Sequence, residues 1–169
     1  MTSSITTKFL RQRSNQVVDV FAALDRPVVI LPGNHDRVIT QEIWAGEPAD
    51  NVSILRKAKG EMLLFDDLGL AVWGRPVYDH NPGFRPLANM PPRPWDRWYV
   101  SMAHGLVTHP SESLWRSSPI LPEEIASANC DYIDLGHVHV FRDVSENGVP
   151  AFYSGAPSGV LARGVAIVE

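Results

Sequence analysis

Three times in this chain an apolar run stops at a glycine set beside side chains that donate nitrogen or oxygen. Val28-Val29-Ile30-Leu31 leads into Pro32-Gly33-Asn34-His35-Asp36, residues 98–103 lead into His104-Gly105, and residues 131–135 lead into Gly136-His137-Val138-His139. Short apolar runs bounded by turn residues read as buried strands. Three such strands place their ligand-bearing ends on one edge of a sheet, where α/β proteins gather their sites. Neither a helical bundle nor an all-β barrel accounts for the pattern together with the helical segments around it.

Those segments are legible from periodicity. Residues from about Thr6 to Leu24 set Phe9, Leu10, Val17, Val20, Phe21 and Leu24 at helical spacing, and Pro122-Glu123-Glu124 opens a short helix. Residues 52–55, 61–65, 70–74, 151–153 and 165–168 read as strands, with Asp66-Asp67-Leu68-Gly69 and Glu146-Asn147-Gly148 as turns. Residues 76–98 carry six prolines and cannot be regular structure. We expect an ordered Pro-rich flap there, with Trp95, Trp98 and Tyr99 to pack it. The expected fold class is α/β (α+β), a layered domain in a single unit over 1–169.

Composition narrows the function classes. Of the 169 residues, 44% are hydrophobic and 20% charged, enough to bury a core without disulfides. The net charge of −4 offers no whole-chain attraction to nucleic acid or an anionic membrane, so any nucleic-acid contact is local. Cys130 is the single cysteine and reads as a buried, inert thiol. A structural zinc finger is thereby excluded. No apolar run reaches the roughly 20 residues that span a bilayer, and no signal peptide is evident, so we expect no membrane partner and a cytoplasmic protein.

The candidate site is nitrogen-rich. His104, His137, His139 and the Asn34 amide suit a divalent transition metal; imidazole favours Zn, Fe, Ni and Cu, while Mn usually takes more carboxylate and water. The alternating His137 and His139 diverge enough to face two ions, and paired ions clamp the attacking and leaving oxygens of a phosphoryl displacement. His35 stands apart as an acid for a leaving-group oxygen, with Asp36 to orient and charge it. His80 and His109 read as ordinary surface or core histidines. Arg75, just before the flap, and Arg85, Arg93 and Arg97 within it read equally well as phosphate contacts or as solvated loop residues.

Gly33-Asn34-His35-Asp36, His104 and Gly136-His137-Val138-His139 together resemble the third, fourth and fifth motifs of the calcineurin-like metallophosphoesterase superfamily. Tyr153-Ser154-Gly155-Ala156-Pro157 is similar to a stretch of its SbcD-like nuclease branch. The resemblance implies a layered αββα sandwich with mixed sheets and a hydrolase acting on phosphodiester or phosphomonoester bonds. It implies that Asn34, His104 and His137 bind one metal, that His139 serves the other, and that His35 is the acid paired with Asp36. The family's first two motifs, Asp-x-His and Gly-Asp-x-x-Asp, are absent. We therefore expect an N-terminally truncated domain missing its first strands, with one metal site substantially present and the second weak. The alternative is a catalytically dead remnant, or half of a split protein, that binds a partner chain: a homo-oligomer or a separate N-terminal half.

Overall fold

The computed structural model describes residues 16, 19–36, 48–111, 118–157 and 166–168. The apolar runs become strands much as their sequences suggest. They are β1 (Val28–Ile30), β2 (Val52–Ile54), β3 (Glu61–Phe65), β4 (Leu70–Gly74), β5 (Trp98–His104), β6 (Leu106–Val107), β7 (Pro119–Ile120), β8 (Tyr132–Gly136), β9 (Arg142–Asp143) and β10 (Ala151–Tyr153). A mixed six-stranded sheet runs in the order β3-β4-β5-β8-β10-β9, while β1-β2 and β6-β7 form separate parallel pairs. In the large sheet β4, β5, β8 and β10 are mutually parallel, and β3 and β9 are antiparallel additions at the edges.

This arrangement corrects the expected fold class. Strand outweighs helix among the described residues, where α-helix is confined to residues 16 and 19–22 and to α1 (Pro122–Ala126), beside short 3-10 turns such as Asp66–Leu68. The parallel strands follow one another through connections whose helix is limited to the five residues of α1, a β-solenoid-like progression rather than the helix-covered layers of an αββα sandwich. The physical reason lies in the crossovers. A parallel pair needs a long connection, usually a helix, yet the β4–β5 connection is the proline-rich stretch, whose missing N–H groups and fixed φ forbid one. The expected helix over residues 6–24 lies mostly outside the described residues. The expected strand at 165–168 does not form over Ala166–Val168, which is irregular. No helix of the described residues is long and apolar enough to cross a membrane.

The core sits on one face of the large sheet. Ala71, Trp73, Tyr99, Ala103, Ile133, Leu135, Ala151 and Tyr153 alternate inward from β4, β5, β8 and β10, and Ile120 and Ile125 close over them. Among the described residues the opposite face is closely covered at one end. There Leu31 and Leu55, which follow β1 and β2, pack on Gly74, where a β-carbon would stand 2.5 Å from Leu55. Towards the other end Leu70, Trp98, Val100, Tyr132 and Phe152 line an open concavity of about 890 Å³.

Residues 76–98 hold their shape through packing that matches the expected one only at Tyr99, which is fully buried and donates its hydroxyl to the Pro91 carbonyl. Trp95 is 94% exposed and Trp98 66%, so neither anchors the flap; Val77, Phe84 and Leu87 are the buried side chains that do. The flap arginines are committed within the chain. Arg75 lies 4.5 Å over the Phe84 ring and donates to the Ala58 and Arg85 carbonyls. Arg85 makes a two-pronged bond to Glu124 of α1, whose carboxylate also accepts the Leu121 N–H at the helix start. Arg93 pairs with Asp131, and Arg97 with Asp66 and Asp96.

Candidate metal centre

His104 closes β5 and stands in register with Gly136, which closes β8. Its imidazole lies in a slot between two glycine backbones. A β-carbon on Gly33 would fall 2.4 Å from His104 Cε1, and one on Gly136 would fall 2.6 Å from Nδ1. Side-chain carbons do not approach a ring that closely, so this packing requires glycine on both sides. The glycines that punctuate the sequence motifs thus serve as the walls of a histidine pocket.

The Gly33–Asp36 turn is closed twice. The Asp36 N–H donates to the Gly33 carbonyl at 3.1 Å, and the Gly33 N–H donates to Asp36 Oδ2 at 2.9 Å. Asp36 therefore has a turn-closing role that was not read from the sequence. The closed turn leaves His35 exposed at its tip and brings Asn34 Oδ1 to 2.8 Å from His104 Nε2.

The other ligand turn is strained. His137 has φ of 102°, a region that residues with a β-carbon rarely adopt. Strain of this kind is worth of order 1–3 kcal/mol and survives where surrounding structure over-determines it, commonly at functional sites. The result is a His137 ring packed edge-on to His104, with centroids 5.3 Å apart and planes at 77°. His139 is exposed, and its carbonyl accepts the Ala156 N–H at 3.2 Å. The Tyr153-Ser154-Gly155-Ala156-Pro157 stretch thus braces the His137–His139 turn. Tyr153 extends that brace: its buried hydroxyl donates to the Gly105 carbonyl and accepts the Val107 N–H, both at 2.8 Å.

Electrostatics converge on the same point. Burial, then the imidazoles of His137, His80, His35 and His139, push His104 down to about 4. His137 is pushed down by burial and then by His80, His139 and His35. Both rings are held in the neutral form, which is the form that ligates a metal.

The donors bear on which ion fits. In the structure His104 Nε2–H donates to Asn34 Oδ1 at 2.8 Å, so an ion held by both atoms would take the place of that proton. Among the described residues no three His, Cys, Asp or Glu side chains are gathered to hold an ion by themselves. An ion at this point would have to draw on the Asn34 amide as well as on imidazoles.

The structure also brings in a histidine that sequence reading set aside. His80, in the flap, lies 6.1 Å centroid to centroid from His137 and bonds Ser118 Oγ through Nδ1 at 3.1 Å. Nothing local marked it, because a single histidine in an irregular segment carries no spacing signal. His109 is exposed and bonds the adjacent Ser111. Cys130 is buried with its thiol pushed up to about 11, chiefly by burial, and is inert. No family model, no curated protein and no solved structure matches this chain.

Proposed function

We propose that this chain is a metal-dependent phosphoesterase of calcineurin-like chemistry, hydrolysing phosphodiester or phosphomonoester bonds. Asn34, His104 and His137 hold one divalent ion (Mn, Fe or Zn), and His139 adds weakly to a second. The reading is carried by one observation: Asn34 Oδ1 and His104 Nε2 meet at 2.8 Å in a pocket walled by Gly33 and Gly136. When bound, the ion supplies Lewis acidity toward a phosphoryl oxygen and lowers the pKa of water. The chain's own groups do the rest. The glycine slot fixes the His104 ring, the Asp36 carboxylate fixes the turn, and His35 at the turn tip passes a proton to the leaving-group oxygen. The test is hydrolysis of bis-p-nitrophenyl phosphate and of single-stranded DNA with Mn²⁺, alongside p-nitrophenyl phosphate as the monoester. Turnover that is lost in His104→Ala and His137→Ala supports the reading; metal-dependent turnover indifferent to both overturns it.

A second reading is favoured by the open apolar face. Beyond the cover of Leu31 and Leu55, Trp98, Phe141 and Ile167 stand 66%, 61% and 83% exposed. An apolar patch of this kind marks interaction surfaces. On this reading the chain acts as part of a homo-oligomer and has no turnover of its own. Light scattering on the purified chain separates the two: a monomer with measurable hydrolysis refutes the second reading.

A further inference from the structure

Resting on the reading of this centre as a phosphoesterase site, we propose that Tyr153 is a positioning residue for its metal ligands: the hydroxyl holds the bend that follows His104 and so sets the imidazole in the glycine slot. The chain leaves the large sheet at that bend. His104 ends β5, and Leu106 opens β6, which pairs with β7 in a separate sheet. Gly105 between them is confined. Its N–H donates to the Gly136 carbonyl at 3.4 Å, and a β-carbon on it would stand 2.2 Å from the Ser118 carbonyl oxygen. Tyr153 closes the bend from the core: its hydroxyl donates to the Gly105 carbonyl and accepts the Val107 N–H, both at 2.8 Å. Neither direction is open to choice, because a carbonyl only accepts and a backbone N–H only donates. Burial pushes this hydroxyl up to about 12, so it keeps the proton it donates.

The bend matters because the slot is tight. The His104 ring fills the space that a β-carbon would need on Gly33 and on Gly136, while Nε2 meets Asn34 Oδ1 at 2.8 Å. A ring packed this closely cannot absorb a displaced main chain by turning in place. The same strand end also reaches the second ligand turn. Beyond Tyr153, Gly155 takes φ of 87° and the Ala156 N–H donates to the His139 carbonyl at 3.2 Å. Residues 153–156 thus tie the bend after His104 to the turn carrying His137 and His139, side chains that β5 and β8 deliver separately. Tyr99 provides the comparison. It lies near the start of β5, is equally buried and donates to the Pro91 carbonyl at 3.3 Å, away from the ligands.

The experiment uses the full chain, with Mn²⁺ affinity read by calorimetry at a temperature where circular dichroism shows each variant folded. Tyr153→Phe is expected to weaken Mn²⁺ binding about tenfold, as losing a group that orients a ligand does, and Tyr99→Phe to leave it within about twofold. In the metal-free chain the His104 ring-proton resonance is expected to move in Tyr153→Phe and to stay in place in Tyr99→Phe. Gly155→Ala strains the φ of 87° and loosens the Ala156–His139 tie, and about a tenfold loss is expected there too. It decides the matter if Tyr153→Phe does not fold, unchanged affinity then overturning the proposal. In folded Tyr153→Phe, Mn²⁺ affinity within about twofold of wild type, or an unmoved His104 resonance, overturns this inference alone. An equal loss of affinity in Tyr99→Phe assigns the effect to the stability of the sheet and overturns it as well. Wild-type protein that binds no metal overturns the phosphoesterase reading with it.

Discussion

One face of the six-stranded sheet has two ends with opposite characters. At the carboxyl ends of β4, β5 and β8 it is covered: Leu31 and Leu55 reach Gly74, and the His104 ring is held between Gly33 and Gly136. At the other end Leu70, Trp98, Val100, Tyr132 and Phe152 line an open apolar concavity. Both ends are built from the same strands, so strand propensity does not distinguish them. Among the described residues the difference comes from the segments following β1 and β2, which lay two leucines and the Gly33–Asp36 turn over one end. Cover creates the low-dielectric pocket that pushes the His104 pKa down, whereas apolar side chains that the described residues leave uncovered remain a surface.

The comparison can be broken most decisively at His104. His104→Ala is expected to lower Mn²⁺ affinity at least about 100-fold, more than the loss of a group that merely supports a ligand, while Trp98→Ala leaves it within about twofold. Calorimetric titration reads both. Equal effects would mean that the two ends do not differ functionally. Gly136→Ala tests the pocket wall rather than the ligand. Its added carbon meets His104 Nδ1 at 2.6 Å, so overpacking of about 1–3 kcal/mol should appear as a lower melting temperature with weaker metal uptake.

Tyr153→Phe is expected to destabilise the chain by about 1–2 kcal/mol in denaturant unfolding, because the Gly105 carbonyl and the Val107 N–H lose their buried partner. At the open end, Trp98→Ser should change monomer stability by less than about 0.5 kcal/mol, as befits a side chain already 66% exposed. A loss of several kcal/mol there, or a fall in molar mass by light scattering, would show that the open face is covered in solution.

A further effect concerns pH. Burial raises the Asp134 carboxyl above the usual carboxylate range. The folded chain then holds this proton at pH values where the unfolded chain has released it. Stability attributable to Asp134 is therefore lost as pH rises from about 3.9, the unfolded value, through the folded one. Asp134→Asn should raise the melting temperature at pH 8, by under about 1 kcal/mol of stability, and should give no gain at pH 3.5. A gain of equal size at both pH values would assign the effect to packing instead.

How much of this was legible beforehand depended on whether the signal was local. The runs at 28–31, 61–65, 70–74 and 131–135 announce strands because apolar side chains and bounding turns are neighbours in sequence. Asn34, His104, His137 and His139 were named from motif spacing, and the structure brings Asn34, His104 and His137 together, with His139 exposed beside them. His80 was missed because its placement depends on Ser118, 38 residues away. Trp95 and Trp98 were expected to pack because they are large and apolar, but burial depends on what lies opposite. The layered αββα expectation failed on the crossovers, where a resemblance among three short motifs said nothing about the proline-rich chain between them.

By itself, then, the sequence determined which segments extend, where they turn and which side chains arrive at strand ends, since backbone sterics and apolar alternation act between near neighbours. Only the tertiary structure decided that Gly33 and Gly136 flank one imidazole, that His137 sits under strain, that Asp36 closes a turn and that His80 borders the site. These are contacts between segments far apart in the chain, set by the packing of one strand end against another.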